Sequence, residues 1–304
     1  MKLETTDIFK TLSRINPDLI TLTDEEVRQV QDIELSALKD VLSVCNDLDV
    51  NYHLTGGSAL GAVRHGGFIP WDDDIDLDMA RADVKRFLKE FKRRYGDKYW
   101  IHTPYSHGNA AVPCINIRRK GTIFQGCVDP SPKECGISLD IAIIENTFDN
   151  GFLRFTHGFI SLILGFIASC RRFYRNRNYL LKLAGDNEEI KEIFKRKIKI
   201  GRLFAFLPLS AWVRLFDKWN GICRNSHSEK VTVPAGRYHF FKEMYLRSKF
   251  YETTTAEFEG LTVKVPADTD AYLRHMYGKD YMTVPPKEDR EQHTLTRFSL
   301  NDQE

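Results

Sequence analysis

Residues Pro70 to Met79 read P-W-D-D-D-I-D-L-D-M. Five aspartates fall in seven positions, beside Trp71 and alternating at the end with Ile75, Leu77 and Met79. Side chains alternate across a strand, so Asp74, Asp76 and Asp78 share one face and the apolar residues the other. A solvated loop or a helix entry would explain three aspartates in a row. It would not explain the alternation that follows, because aspartate is disfavoured in strands. Same-face positions lie about 6.5–7 Å apart, so two of these carboxylates can converge on one hard cation or hold a pair. All-oxygen ligands select Mg²⁺ or Mn²⁺ over zinc. An EF-hand calcium loop needs a central glycine and a glutamate at its twelfth position, and this stretch has neither.

Upstream, Gly56-Gly57-Ser58 sits between an expected strand near 50–54 and a short helix ended by Gly66-Gly67. Glycines there let the backbone approach a phosphate, and the helix N-terminus and the Ser58 hydroxyl add donors. A phosphate cradle one strand before a metal-binding strand is the arrangement that phosphoryl transfer needs. A third acid is offered by I-S-L-D-I-A-I, residues 137–143, where Asp140 stands on the face opposite Ile137, Leu139, Ile141 and Ile143. An aspartate in so apolar a strand is costly unless paired or on a metal.

Farther out, the signals are coarser. The chain has 304 residues and a net charge of +2, which argues against a nucleic-acid binder driven by bulk charge. Six scattered cysteines without a C-x-x-C pair point to reduced thiols in a cytosolic setting, with Cys127 and Cys135 read as structural. The N-terminal residues have no apolar core and do not read as a signal peptide. Thr23 to Glu26 is a capping box opening a helix to about Leu48. A basic amphipathic helix covers 82–95, and strands are expected near 99–102, 113–119 and 137–144. Residues 258–266 read as strand, turn, strand, Asp268 as the cap of a last helix, and 285–304 as loop. Residues 150–230 read as helices, strongly basic over 171–202. Within them, Phe155 to Cys170 is shorter than the ~20 residues of a spanning helix. It reads either as an interfacial helix backed by arginines or as a buried one, and its near-continuous apolarity favours burial.

At this point the residues resemble a known family. The run L-T-G-G-S-A-L-G-A-V-R-H-G-G-F-I-P-W-D-D-D-I-D-L-D-M is similar to the LicD family of the nucleotidyltransferase-fold superfamily, which includes phosphocholine and fukutin-related ribitol-phosphate transferases. F-E-G-L-T-V-K-V-P, Y-L-R-H-M-Y-G-K-D-Y-M-T-V-P-P, Arg290 and His293 resemble its C-terminal signature. The likeness spans roughly 50–145 and 240–293. Asp289 departs from it, standing where the family tends to have lysine.

The resemblance implies an α+β fold with a nucleotidyltransferase-like mixed-sheet core over 1–150, a helical insert over 151–235 and a C-terminal part, 236–304, completing the site. It implies Asp74, Asp76 and Asp140 as catalytic acids, with Asp74 and Asp76 holding Mg²⁺ or Mn²⁺ and Asp72 as a further ligand, whereas Asp78, at the strand end, reads as a surface residue. Gly56, Gly57, Ser58, Arg64, His65, Arg290 and His293 would contact donor or phosphate. The implied reaction transfers phosphocholine or a similar polyol phosphate from a CDP-linked donor to a glycan or lipid-linked glycan. Nucleotide transfer with pyrophosphate release is the alternative, and a glycan- or lipid-binding protein without catalysis is a third reading. The implied location is cytoplasmic, with peripheral membrane contact through 155–202 left open.

Overall fold

The computed structural model describes residues 8–9, 11–12, 16, 18–129 and 133–301. The reading of the N-terminus as no signal peptide falls mainly on residues 1–7, outside the described residues.

The capping box forms: Thr23 Oγ1 accepts from Glu26 N at 3.2 Å, and Glu26 answers at the Thr23 N–H. It opens α1 (Asp24–Leu48), whose Val30, Leu38, Val41 and Cys45 are buried. Then come β1 (Tyr52–Leu54), α2 (Gly56–His65), β2 (Ile75–Ala80), α3 (Arg81–Tyr95), β3 (Tyr99–His102), β4 (Ile115–Arg119), β5 (Ile123–Gly126) and β6 (Ser138–Asn146). Four helices follow: α4 (Gly151–Arg175), α5 (Arg177–Leu183), α6 (Glu188–Leu203) and α7 (Leu209–Asn220). The chain returns as β7 (Lys230–Thr232), β8 (Met244–Leu246), the hairpin β9 (Thr253–Phe258) and β10 (Leu261–Pro266), α8 (Thr269–Tyr277) and β11 (Leu295–Ser299).

The fold is α+β with a mixed sheet ordered β1-β2-β6-β4-β3. β2 and β6 run parallel, and the other neighbours run antiparallel. β7 pairs with the end of β6, and β8 with β7. Ile75, Leu77 and Met79 enter the main core with Leu139, Ile141, Ile115, Ile117 and Phe87. The helical region is tied to the sheet by charge. Arg81, at the start of α3, pairs with Glu145 on β6 and, at 2.8 Å, with Asp217 on α7.

Three expectations are corrected. Residues 285–304 are not all loop, because β11 pairs antiparallel with β5, an element whose four residues were too few to stand out. Asp78 is not at the surface. It is 1 % exposed, flanked by β1 and β6 within the sheet and near Tyr245 and Tyr272. And 155–170 is not a buried helix. It belongs to the 25-residue α4, long and apolar enough to cross a membrane, yet only 22 % of its most apolar window is buried.

Candidate active site

The register of the parallel pair sets the centre of the site. Asp76 stands directly opposite Asp140, and Asn116 on β4 opposes Asp140 from the other side. Asn116 Nδ2 donates to Asp140 Oδ1 at 2.5 Å. Asp74 lies one residue ahead of β2, where the chain enters the sheet.

The Gly-Gly turn packs against the acids. A Cβ on Gly57 would stand 2.3 Å from Asp72 Oδ2, and one on Gly56, whose φ is +55°, would stand 3.3 Å from Asp76 Oδ2. Bare glycines therefore let two carboxylates reach the N-terminus of α2. Ser58 has a role the sequence did not indicate: it is buried, and its Oγ accepts from Asp76 N at 2.9 Å. Its oxygen thus locks helix to strand, and its O–H remains as a donor. Tyr272 of α8 receives Gly56 N at 2.8 Å and shares a short hydrogen bond with Thr55.

The electrostatics are those of crowded, desolvated acids. Burial pushes the carboxyls of Asp72, Asp74, Asp76 and Asp140 above their usual range. Asp74 pushes Asp72 and Asp76 further, while Arg118 and the Asn116 amide hold Asp140 down. Glu34 on α1 lies buried beneath them. Burial and Asp74, Asp73 and Asp72 raise it, and its Oε2 has no hydrogen-bond partner among the described residues.

His293 faces this charge. Its backbone N–H donates to Asp73 at 3.1 Å, Nδ1 lies 3.0 Å from Asp73 Oδ1, and Nε2 lies 3.9 Å from Asp74. Burial opposes its protonation, but Asp73, Asp74 and Asp140 outweigh it and raise the ring well above its ordinary value. Because its side chain is 52 % exposed, solvent screens part of that gain.

The other expected contacts divide. Arg290 stacks 4.0 Å from the Trp71 ring, one residue ahead of Asp72. Arg64 donates to the carbonyl of Tyr281 at 2.9 Å, strapping the C-terminal segment, and feels Tyr277 and Asp72. His65 is exposed at the end of α2, 3.5 Å from Arg64 Nε, and is not brought to the acids.

Glu34, Asp73, Asn116, Tyr272 and Tyr277 are site residues that the sequence reading missed. Tyr277 is raised by burial and then by Asp72, Asp76 and Asp74. Arg172 of α4 is another: it interacts electrostatically with Cys114, which in turn feels Asp140 and Asp76. The alternation of D-I-D-L-D-M could flag the strand, but no local pattern announces partners on other elements.

Among the described residues no three His, Cys, Asp or Glu side chains are drawn together at ligating distance. The donor set nevertheless fits a hard divalent ion, because it consists of desolvated carboxylates that repel one another.

Comparison with known proteins bears on the chain's relatives. Residues 49–108, which include the Gly-Gly turn and the aspartate stretch, match the family model for LicD/FKTN/FKRP, nucleotidyltransferase domain. The chain is 24 % identical over 279 residues to the lipopolysaccharide cholinephosphotransferase LicD of Haemophilus influenzae, covering 88 % of this chain and 96 % of that protein. A stretch of 83 residues is 35 % identical to an uncharacterized protein of Rickettsia typhi, covering 24 % of this chain and 27 % of that one. A stretch of 44 residues is 52 % identical to the human ribitol 5-phosphate transferase FKRP, covering 14 % of this chain and 9 % of FKRP. Over most of its length the chain is thus similar to a LicD protein, and the segment with the glycine turn and the aspartates matches the LicD/FKTN/FKRP model. The chain is an enzyme of the transferase class.

Proposed function

We propose that this enzyme moves phosphocholine, or a similar polyol phosphate, from a CDP-linked donor to a hydroxyl of a cell-surface glycan or its lipid-linked precursor. The observation that carries the reading is the pairing of Asp76 with Asp140 beside a glycine turn at a helix N-terminus. The names of the LicD and FKRP relatives supply the class of passenger. A lipid-linked acceptor would bring the protein to the cytoplasmic face of a membrane. On this reading the core is of the nucleotidyltransferase type.

Asp74 and Asp76, with Asp72, would hold Mg²⁺ or Mn²⁺. The ion would neutralise charge on the donor's diphosphate. At the start of α2 the Gly56 N–H is taken by Tyr272, and the next N–H groups, of Gly57 and Ser58, would donate to phosphate oxygens. Asp140 accepts the proton of the acceptor hydroxyl as its oxygen attacks the phosphorus that carries the passenger. The bond from that phosphorus to the bridging oxygen breaks, and CMP leaves with the electron pair. Burial raises the Asp140 carboxyl and makes it a stronger base, while Asn116 fixes its orientation. His293 holds Asp73 and counters part of the negative charge.

The test offers the protein, with Mg²⁺, CDP-choline, CDP-ribitol, CDP-glycerol and the four nucleoside triphosphates, beside Asp74→Ala. Metal-dependent CMP release from one CDP donor, lost in the variant, supports the reading and names the passenger. Pyrophosphate from a triphosphate would replace it with nucleotide transfer. No turnover and no calorimetric binding of any donor would leave a binding protein without catalysis.

A further inference from the structure

The face of the molecule formed by α4 is unlike the rest. Phe152, Phe155, Phe159, Ile163 and Phe166 recur every three or four residues and form one stripe. Phe152 is 77 % exposed, Phe155 59 % and Phe159 51 %. Near its C-terminal end α4 is covered by α6. Phe194 packs edge-on to Phe173 with ring centroids 5.4 Å apart, Lys197 Nζ lies 3.5 Å from Ser169 Oγ, and Gly201 is pressed against Cys170. The stretch Phe152–Phe166 stays bare over about 21 Å, at 1.5 Å per residue. Its apolar side chains leave on the order of 600 Å² in water, at the upper end of the largest patch on ordinary monomers. Phe241 extends it, with its ring 5.9 Å from that of Phe155.

Two observations say what covers this face. The first is charge. No Asp or Glu occurs from Gly151 to Gly185 or from Ile193 to Phe216; the acids between them gather at the start of α6, where Glu188 pairs with Lys191 and Glu192 with Lys195, whereas Arg196, Lys199 and Arg202 are exposed on its later turns. A second copy would bring like charges together, whereas an anionic lipid surface complements them. The second is anchoring. His157 and Trp219 exchange ring-to-carbonyl hydrogen bonds of 2.9 Å, and Gly158 and Gly165 press on Phe240 and Phe216. One side of α4 is therefore fixed to the body of the protein, and the bare stretch is shorter than the ~30 Å hydrocarbon core.

We propose that α4 docks flat on an anionic lipid bilayer. Its phenylalanines and Ile163 enter the boundary between headgroups and acyl chains, and Lys199 and Arg202 lie among the headgroup phosphates. The proposal locates the membrane contact and stands apart from the transfer chemistry, since vesicle binding needs no donor.

The test is co-flotation of the full chain with phosphatidylcholine vesicles and with vesicles also containing phosphatidylglycerol. The chain should float with the mixed vesicles and lose most of that binding in high salt. Phe155→Ser/Phe159→Ser should lower partitioning about tenfold or more, and Lys199→Glu/Arg202→Glu should abolish the preference for the anionic vesicles. Both variants should keep the wild-type circular dichroism, since all four side chains are at the surface. Absence of flotation by folded wild-type protein would overturn the proposal. So would a dimer that the phenylalanine variant disperses without any vesicle binding, or wild-type protein that resists alkaline extraction and so spans the bilayer.

Discussion

Asp76 and Asp140 face each other across a parallel pair of strands, each carboxyl raised by burial. A raised carboxyl means that the folded protein binds more protons than the unfolded chain between the two pKa values, so the pair weakens the fold as pH rises. Asp76→Asn and Asp140→Asn are therefore expected to cut CMP release by about 10²–10⁴-fold while leaving Tm unchanged or raised. Mg²⁺ should raise the Tm of wild type more than that of Asp76→Asn. Calorimetry and product assay on the same preparations check both, and a variant that retains its rate would remove that acid from the mechanism.

The contact of Gly57 with Asp72 predicts a steric effect. Gly57→Ala places a methyl group 2.3 Å from the Asp72 carboxylate oxygen. Overpacking of this kind costs about 1–3 kcal/mol, and activity should fall at least about tenfold as Asp72 is displaced. Gly57→Ala/Asp72→Gly should recover stability. A double-mutant cycle by denaturant unfolding measures the coupling, and an additive result would mean that the two do not touch.

His293 titrates in the opposite sense to the acids. Its pKa is raised on folding, so its contribution to stability is full below the ordinary value of about 6.5 and is lost as pH climbs through the raised value. His293→Ala should destabilise most in mildly acidic solution, and the gap to wild type should close toward alkaline pH. Tm measured across that range decides it. A gap independent of pH would assign His293 to packing alone.

Glu243 offers a test away from the acids that would hold metal. Burial raises it from 4.5 to about 7, and its carboxylate accepts the Tyr238 N–H at 2.6 Å. Wild type should lose up to about 3 kcal/mol between roughly pH 4.5 and 7 through this group. Glu243→Gln keeps the acceptor and removes the charge. Its stability relative to wild type should improve steadily over that interval in urea titrations, and parallel curves would show that Glu243 is not raised.

Arg172, on α4, interacts electrostatically with Cys114, which also feels Asp140 and Asp76. Arg172→Ala is expected to raise the donor KM about tenfold with little change in Tm, a split that steady-state kinetics read directly. A fall in kcat alone would place it at the transition state instead.

The aspartate strand was legible because alternation is a local signal. Ile75, Leu77 and Met79 had to enter a core, and the acids had to lie opposite. The capping box at Thr23 and the cap at Asp268 were legible for the same reason. Asp78 was misread because its burial depends on β1, β6 and residues more than 150 positions away, near Tyr245 and Tyr272. β11 was missed because its pairing with β5 is long-range. For α4, apolarity all round was taken as burial, whereas the helix turns one side to α7 and leaves much of the other in water. Composition reports how apolar a helix is, not what covers it.

The hydrogen bonds of His293 to Asp73 and of Tyr272 to Gly56 join residues 220 and 216 positions apart. During synthesis, every aspartate assigned to the site has been made once Asp140 leaves the ribosome, but its closing imidazole and the tyrosine that pins the glycine turn come more than a hundred residues later. A nascent chain therefore has Asn116 in hand for Asp140, while Asp73 and Gly56 wait for partners made only near its end. A chain that stops before Tyr272 lacks both the imidazole that meets Asp73 and the hydroxyl that meets Gly56.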